Sequence, residues 1–248
     1  TTLRTNPEIL ASRYNASAAE QLHKQARGAY FPSLDLVLAS GEENSNNATT
    51  RAAGRGDLSM TREENSIRLT QLLYDGGYTA NHVRQQSALS DAAIEQLSST
   101  KENTGLTAIQ VYLEVLRRDS VVALAKENLR HHDDTLTKIH QRFESGVGTK
   151  VDVVQTRGRQ AQSKSNVLLA ERDSANGRAN FYRVVGENPS NLREPSAPSG
   201  LPGTLQAAIE IAMNGNPGLK AVEAELEAAS AARKQARGAF HPRFDLEL

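Results

Sequence analysis

The sequence predicts a mainly α protein, built of long coiled-coil helices with a β-hairpin set among them. Three observations carry this. A helical pattern runs unbroken over about residues 78–144. Two segments, Leu34–Leu38 and Ser66–Thr70, alternate apolar and polar side chains, the period of a strand with one apolar face. A stretch near the beginning recurs without gaps near the end of the chain.

Composition favours thin helices over a rounded globule. The apolar share is 38%, aromatics are 4% and Trp is absent, which leaves little material for a thick core and ample Leu, Ala and Val for narrow helix seams. Lys plus Arg and Asp plus Glu are both 29, so no basic face calls for nucleic acid. The absence of Cys excludes disulfides, thiol nucleophiles and Cys-type zinc sites. No run of apolar residues is long enough for a transmembrane helix. Thr1 to Pro7 lack the layout of a signal peptide, as would a precursor whose signal had been removed.

The elements follow in order. Residues 6–29 read as a helix, with Asn6 as cap, Pro7 at the first helical position and Glu8 at the positive end of the dipole. Pro32 then blocks helix and opens an extended run. Leu34, Leu36 and Leu38 form the apolar side of one strand, Ile67 and Leu69 that of a second, giving a hairpin over about 33–73. Residues 40–64 between them, rich in Gly, Asn, Thr and Arg, read as a long exposed loop. Such a strand pair fits a soluble sheet or a membrane barrel equally. Tyr30 and Phe31 enter the first strand and Tyr74 and Tyr78 follow the second. The four aromatics thus gather at one end of the hairpin, as an interfacial belt or a small core would place them.

After Asp75-Gly76-Gly77, the helix 78–144 would span roughly 100 Å. Leu106, Ile109, Leu113 and Leu116 show 3-4-3 spacing, which predicts the coiled-coil seam; a slip to five precedes Val121. Ser145-Gly146-Val147-Gly148-Thr149 breaks the helix, and a second runs over about 150–185, its seam predicted at Val151, Val154, Gly158, Ala161, Ser165 and Leu168. Residues 186–203 form a Pro/Gly-rich linker. A helix over about 204–239 follows, then a strand-like run at Phe244–Leu248.

That last portion repeats the first. At a constant offset of 210, Asn6-Pro7 returns as Asn216-Pro217 and Lys24–Ala29 as Lys234–Ala239; Pro32 returns as Pro242, and Asp35-Leu36 as Asp245-Leu246. A period this long marks a duplicated half-protein and excludes a solenoid. The expected organisation is a first repeat over 1–203 and the truncated start of a second over 204–248.

The order of elements, with Asn6-Pro7 through Phe31-Pro32, Gln71–Asp75, Arg142–Gly146 and Val151–Gln155, resembles the TolC family of outer-membrane factors. The resemblance implies the fold: helices forming an α-barrel segment, and a hairpin contributing to a trimeric outer-membrane β-barrel. It implies a passive channel component of a tripartite export system, with type I protein secretion favoured over multidrug efflux. The implied location is the outer membrane of a Gram-negative bacterium, extending into the periplasm. Implied partners are two further protomers, a periplasmic adaptor protein, an inner-membrane ABC transporter or other pump, and outer-membrane lipid. Leu34, Leu36, Leu38, Ile67 and Leu69 would face lipid, and Tyr30, Phe31, Tyr74 and Tyr78 would lie at the interface. Ser145, Gly146, Val147, Gly148 and Thr149 would form the adaptor-contacting tip, with Ser145 where the family commonly has Val. Asp152 matches an acidic gate residue, though a carboxylate stabilising a helix start would look the same.

The sequence offers no catalytic cluster. His131 and His132 are adjacent and cannot share a helix face as metal ligands would. No Gly-x-Ser-x-Gly, P-loop or dinucleotide fingerprint occurs, so neither enzyme nor cofactor is expected. A soluble coiled-coil scaffold or periplasmic adaptor is the alternative, but it would have no need of the two strands.

Overall fold

In the computed structural model, which describes residues 2–248, the chain runs α1 (Thr2–Thr5), α2 (Pro7–Gly28), β1 (Ser33–Ser45), α3 (Ala48–Ala52), β2 (Leu58–Tyr74), α4 (Tyr78–Glu144), α5 (Lys150–Val185), α6 (Leu205–Gly215), α7 (Pro217–Gly238) and β3 (Phe244–Glu247). The mainly α class with a small sheet is as expected. Contacts divide the chain into two compact units. One comprises the residues through Tyr14 with Glu95–Gly218, the other Asn15–Ile94 with Leu219–Leu248.

The second unit contains an antiparallel sheet of order β1-β2-β3. Ser33 pairs with Thr70 and Ser45 with Leu58, so the strands extend far into the region expected to be loop. Only residues 46–57 connect them, and Asn47 caps the short α3 there by accepting from Thr49 and Thr50 N–H. The outer part of each strand escaped the period-two reading because it is polar on both faces: Ser40 lies opposite Glu63, Gly41 opposite Arg62 and Glu42 opposite Thr61. Arg62 ties this region together, 3.0 Å from Glu64 and 3.9 Å from Glu43.

At the other end of β2 the chain turns sharply into α4. Gly76 has φ +68°, and a Cβ there would stand 2.5 Å from His241 Cβ and 2.6 Å from the Gly238 carbonyl oxygen, so only glycine fits. The helices of this unit meet through alanine. Ala16 and Ala26 of α2, Ala88 and Ala92 of α4, and Ala221, Ala228 and Ala231 of α7 are all buried. Methyl-sized contacts let helix axes approach closely.

In the first unit α4 and α5 form an antiparallel pair. A row of wholly or partly covered residues on α4 runs Thr104, Ala108, Val111, Val115, Arg118, Val122, Ala125, Leu129, His132, Leu136 and Ile139 in 3-4 alternation without a slip, with Leu116 of the expected seam also half-buried beside it. On α5 the corresponding row is Val153, Thr156, Gln160, Ser163, Val167, Ala170, Ser174, Gly177, Phe181 and Val184, again in 3-4 spacing. The expected seams are therefore corrected. Leu106, Ile109 and Leu113 on α4 and Val151, Val154, Gly158, Ala161, Ser165 and Leu168 on α5 are exposed. The five-residue slip before Val121 belongs to that outer stripe. Each long helix thus carries two stripes, and the one used within the chain is the less hydrophobic.

Polar rungs replace the missing apolar area. Ser163 Oγ donates to Asn128 (2.9 Å), Gln160 Nε2 to Asp133 (2.8 Å), and Asp119 accepts from Ser174 Oγ (2.7 Å) and Arg178 (2.5 Å). Lys126 and Glu171 pair at 2.7 Å. Arg118 donates to the Asp173 carbonyl and passes over Gly177, where a Cβ would lie 2.8 Å from its Cδ. Val111, Val115 and Phe181 make a tight apolar knot, with Tyr112, Val184, Val185 and Leu192 against it.

The expected single helix over 204–239 is broken in two at Asn216. Pro217 has no N–H to continue α6, and the Asn216 side chain accepts from Gly218 N–H at 2.8 Å. The first copy does the same 210 residues earlier: α1 ends at Thr5, and Asn6 accepts from Glu8 N–H at 2.9 Å. The repeat is thus visible in hydrogen bonds as well as in residues.

Glu114 provides a pH test of the α4 surface. Hydrogen bonds from Arg117 and Arg118 hold its carboxyl down from 4.5 to about 2, against a small opposing effect of burial. A carboxyl lowered on folding contributes stability that is complete above its unfolded value and is lost as pH falls through the folded one. Between pH 4.5 and 2 the parent should therefore lose more stability than Glu114→Gln, as measured by thermal melts across that range.

Candidate membrane face and helical tip

The sheet register sorts side chains into two faces, because directly paired residues share a side. Leu34 lies opposite Leu69, Leu36 opposite Ile67, and Leu38 opposite Asn65. β3 extends this face: Leu248 exchanges backbone hydrogen bonds with Leu69, each 3.0 Å, and Leu246 lies opposite Gln71. Leu34, Leu36, Leu38 and Ile67 are 63–70% exposed, while Leu69 is half-buried. The opposite face pairs Ser33 with Thr70, Asp35 with Arg68, Val37 with Ser66, and Leu72 with Asp245. One face is hydrocarbon-like and bare, and the other is mostly polar. Contiguous exposed apolar surface of this kind marks a site that something else covers.

The four sequence-marked aromatics do gather at the base of the hairpin. Phe31 and Tyr78 line one cavity of about 720 Å³ together with Asp75, His241, Arg243 and Asp245. Gln71 Nε2 donates to the Tyr30 carbonyl at 3.2 Å. The ring of Tyr74 lies 6.2 Å from that of Phe244. Phe240 and Phe244, both exposed, were legible in the repeat and the last strand but were not counted with these four. By the offset of 210 they are the counterparts of Tyr30 and Leu34. Asp75 starts α4 by accepting from Thr79 N–H at 2.8 Å. Burial pushes its carboxyl up, but hydrogen bonds from Thr79, Gly77 and Tyr78 together outweigh this and hold it below the ordinary carboxylate range.

The tip lies in the other unit. α4 ends as the N–H groups of Val147 and Gly148 both reach the Arg142 carbonyl, at 2.9 and 3.0 Å, with Gly146 left-handed at φ +78°. This closure satisfies carbonyls that a helix end otherwise leaves free. Ser145 Oγ donates to the same carbonyl at 3.0 Å. Val147 is left 72% exposed at the apex. Thr149 and Asp152 then form a reciprocal capping box: Asp152 N–H donates to Thr149 Oγ1 (3.2 Å), and Thr149 N–H (3.2 Å) and hydroxyl (2.7 Å) donate to Asp152 Oδ2. These bonds, and more weakly the charge of Arg142, hold the Asp152 carboxyl below its ordinary value. Asp152 therefore has a local structural task as the third residue of α5. A cleft of about 230 Å³ between Ile139, Arg142, Gly148 and Asp152 opens beside it.

Among the described residues, no group of His, Asp and Glu is placed to hold a metal, and His131 stands near Glu127 on the helix surface at 3.8 Å. No described helix is long and apolar enough to cross a membrane.

A sheet bare and apolar on one side is thus continuous in sequence, through the sharp turn at Gly76, with a helix of coiled-coil length. Residues 1–187 match the model of the outer membrane efflux protein family. The chain belongs to this family, that of the TolC-type outer-membrane factors. It is 26% identical over 98% of its length to the outer membrane efflux protein BepC of Brucella suis, covering 51% of that protein. To the alkaline protease secretion protein AprF of Pseudomonas aeruginosa it is 24% identical, over 98% of this chain and 52% of the relative. In structure it is similar to the outer-membrane channel OprN, with a TM-score of 0.84 and 19% identity over 99% of this chain and 56% of that one. The chain spans about half the length of the curated relatives it matches. Family membership places it in the outer membrane of a Gram-negative cell, reaching into the periplasm.

Replacing Thr149 by Val removes the hydroxyl that donates to Asp152. The Asp152 carboxyl, followed by NMR titration, should move up toward its ordinary value. The capping contribution, complete at neutral pH in the parent and lost as pH falls through the lowered value, should be weakened at every pH above it.

Proposed function

We propose that this chain is the first half, with the opening of the second, of a passive outer-membrane conduit in a tripartite export system. The observation that carries the proposal is the bare apolar strand face, continuous in sequence with a helix of 67 residues. Residues 2–203 form the first repeat, and the second begins at about residue 204 with α6, α7 and β3. Three complete protomers would close a barrel whose strands leave no exposed edge, as lipid requires. Leu34, Leu36, Leu38, Ile67 and Leu69 would face lipid, and Tyr30, Phe31, Tyr74 and Tyr78 would sit at the headgroup level.

At the periplasmic end, the Ser145–Thr149 turn presents Val147 to an adaptor protein. Asp152 would hold the entrance closed through a partner in the second repeat, in addition to its capping role. Driving energy would come from an inner-membrane ABC transporter or other pump, since neither unit offers a nucleotide fingerprint or a reactive cluster. Export of protein by a type I system is the finer reading, supported by overall likeness to relatives such as AprF.

The complete protein should form trimers that conduct ions in planar bilayers. A monomer without conductance would refute the conduit. Leu36→Arg should prevent stable insertion, since an arginine on the lipid face near mid-membrane costs about 2–4 kcal/mol. Asp35→Arg, on the opposite face, should insert. The transport class is read in cells lacking the gene: type I secretion predicts loss of an exported protein with unchanged drug susceptibility.

A further inference from the structure

The aromatics at the base of the hairpin share a level, but the sheet register divides them between its two sides. Asp245 lies opposite Leu72 and Phe244 opposite Tyr74. β2 thus carries one extra residue, Leu73, between two consecutive residues of β3. Plain alternation would return Tyr74 to the side of Thr70 and Leu72. A β-bulge of this kind re-aims the side chain that follows it. Tyr74 shares the side of Phe244, as directly paired residues do, and their rings stand 6.2 Å apart. Phe244 alternates with Asp245 and so falls on the side of Leu246 and Leu248, the apolar face. Leu73, Tyr74 and Phe244 are all exposed. They continue the bare face of Leu34, Leu36, Ile67 and Leu69 to the corner where the helices begin. β2 is the middle strand of the sheet, with β1 and β3 paired on either side of it, so Tyr74 does not stand on a strand edge.

Phe31 and Tyr78 go the other way. Phe31 stands two residues before Ser33, which lies opposite Thr70 on the polar side. It lines the corner cavity together with Ser33, Thr70, Leu72 and Asp245, all four of which belong to that side. Tyr78 lines the same cavity and is built into the turn: a Cβ on Gly238 would stand 3.0 Å from Tyr78 Cβ, and the Tyr78 ring stacks with that of His82 at 6.4 Å. The charged groups of the corner keep to this side as well. Arg243 donates to Asp245 through Nε (2.7 Å) and Nη2 (3.1 Å), and Asp75 lines the cavity beside them. One side of the corner thus offers rings and aliphatic carbon alone, and the other offers rings among ionised groups.

We propose that Tyr74 and Phe244, set side by side by the bulge at Leu73, make the contact of this sheet with phospholipid at the boundary between acyl chains and headgroups, while Phe31 and Tyr78 at the same level face water. A ring pair carrying one hydroxyl at the end of an apolar face has the amphipathic form that such a boundary selects. The proposal rests on the strand face meeting lipid, and it adds that side as well as height decides which aromatics touch the membrane.

The chain has no Trp, so an introduced Trp reports its own surroundings. Leu36→Trp, Tyr74→Trp, Phe244→Trp and Phe31→Trp are made one at a time in the complete protein, reconstituted in phosphatidylcholine vesicles, and each is read as the emission gained over the parent. Phosphatidylcholine brominated on acyl carbons near the headgroup should quench Tyr74→Trp and Phe244→Trp several-fold more than Phe31→Trp. Iodide on both sides of the membrane should reverse that order. Leu36→Trp, quenched by lipid brominated deeper in the chain, is the reference for the strand face. Lipid quenching at 36 with no excess at 74 or 244 over 31 would overturn the proposal and leave the lipid-facing strand face standing. Absence of lipid quenching at 36 would remove that face itself, and the proposal with it.

Discussion

The structure is organised around apolar side chains that the chain itself does not cover. Leu34, Leu36, Leu38 and Ile67 stand on one side of a fully hydrogen-bonded ladder with no element packed over them. In water such a face drives association, and in a bilayer it is matched by hydrocarbon at no cost. The polar partners on the other face, Asp35 with Arg68 and Ser33 with Thr70, need water just as firmly. A sheet with these two demands has one side suited to an apolar medium and the other to water. The corner at Gly76, where a Cβ would collide with His241 and Gly238, then sets how the helices leave it.

The same logic governs the rods. A helix that serves only one neighbour needs one stripe. α4 and α5 each carry two, one closed within the pair and one facing outward with Ile109, Leu113, Val151, Val154 and Leu168 exposed. Rods with two stripes suit a cylinder wall, where every helix has a neighbour on each side. The inner stripe mixes Val with Thr, Ser, Ala and Gly and carries polar rungs such as Asp119–Ser174 and Asn128–Ser163. Hydrogen bonds fix register more sharply than oily contacts do, and each contributes only about 1 kcal/mol net.

Much of the fold was legible in the sequence. The ends of α4 and α5 fall where Gly77, Ser145–Thr149 and Gly186 place them, since glycine and capping residues act locally. The inner parts of the hairpin strands were legible because apolar residues confined to one side impose a period of two. The outer parts, Ser40–Ser45 and Leu58–Asn65, were not, because polar residues on both faces erase that period. The seam was misassigned for a related reason. Hydrophobicity ranks Leu106, Ile109 and Leu113 above Thr104, Ala108 and Val111, although the smaller residues make the contact within the chain. The break at Asn216 was available from Pro217 and was overridden by the helical pattern on both sides. At the tip, the turn was evident from its glycines, whereas the reciprocal Thr149–Asp152 bonds needed coordinates to distinguish capping from an open carboxylate.

The central claim is that the β1–β2 face meets hydrocarbon while its reverse meets water. A nitroxide scan of single cysteines at positions 34–38 and 66–69, in the complete protein reconstituted in bilayers, tests it most directly. The account predicts alternation: collision with oxygen dominant at 34, 36, 38, 67 and 69, and with a water-soluble nickel chelate at 35, 37, 66 and 68. Uniform access of the nickel chelate to both sets would contradict it.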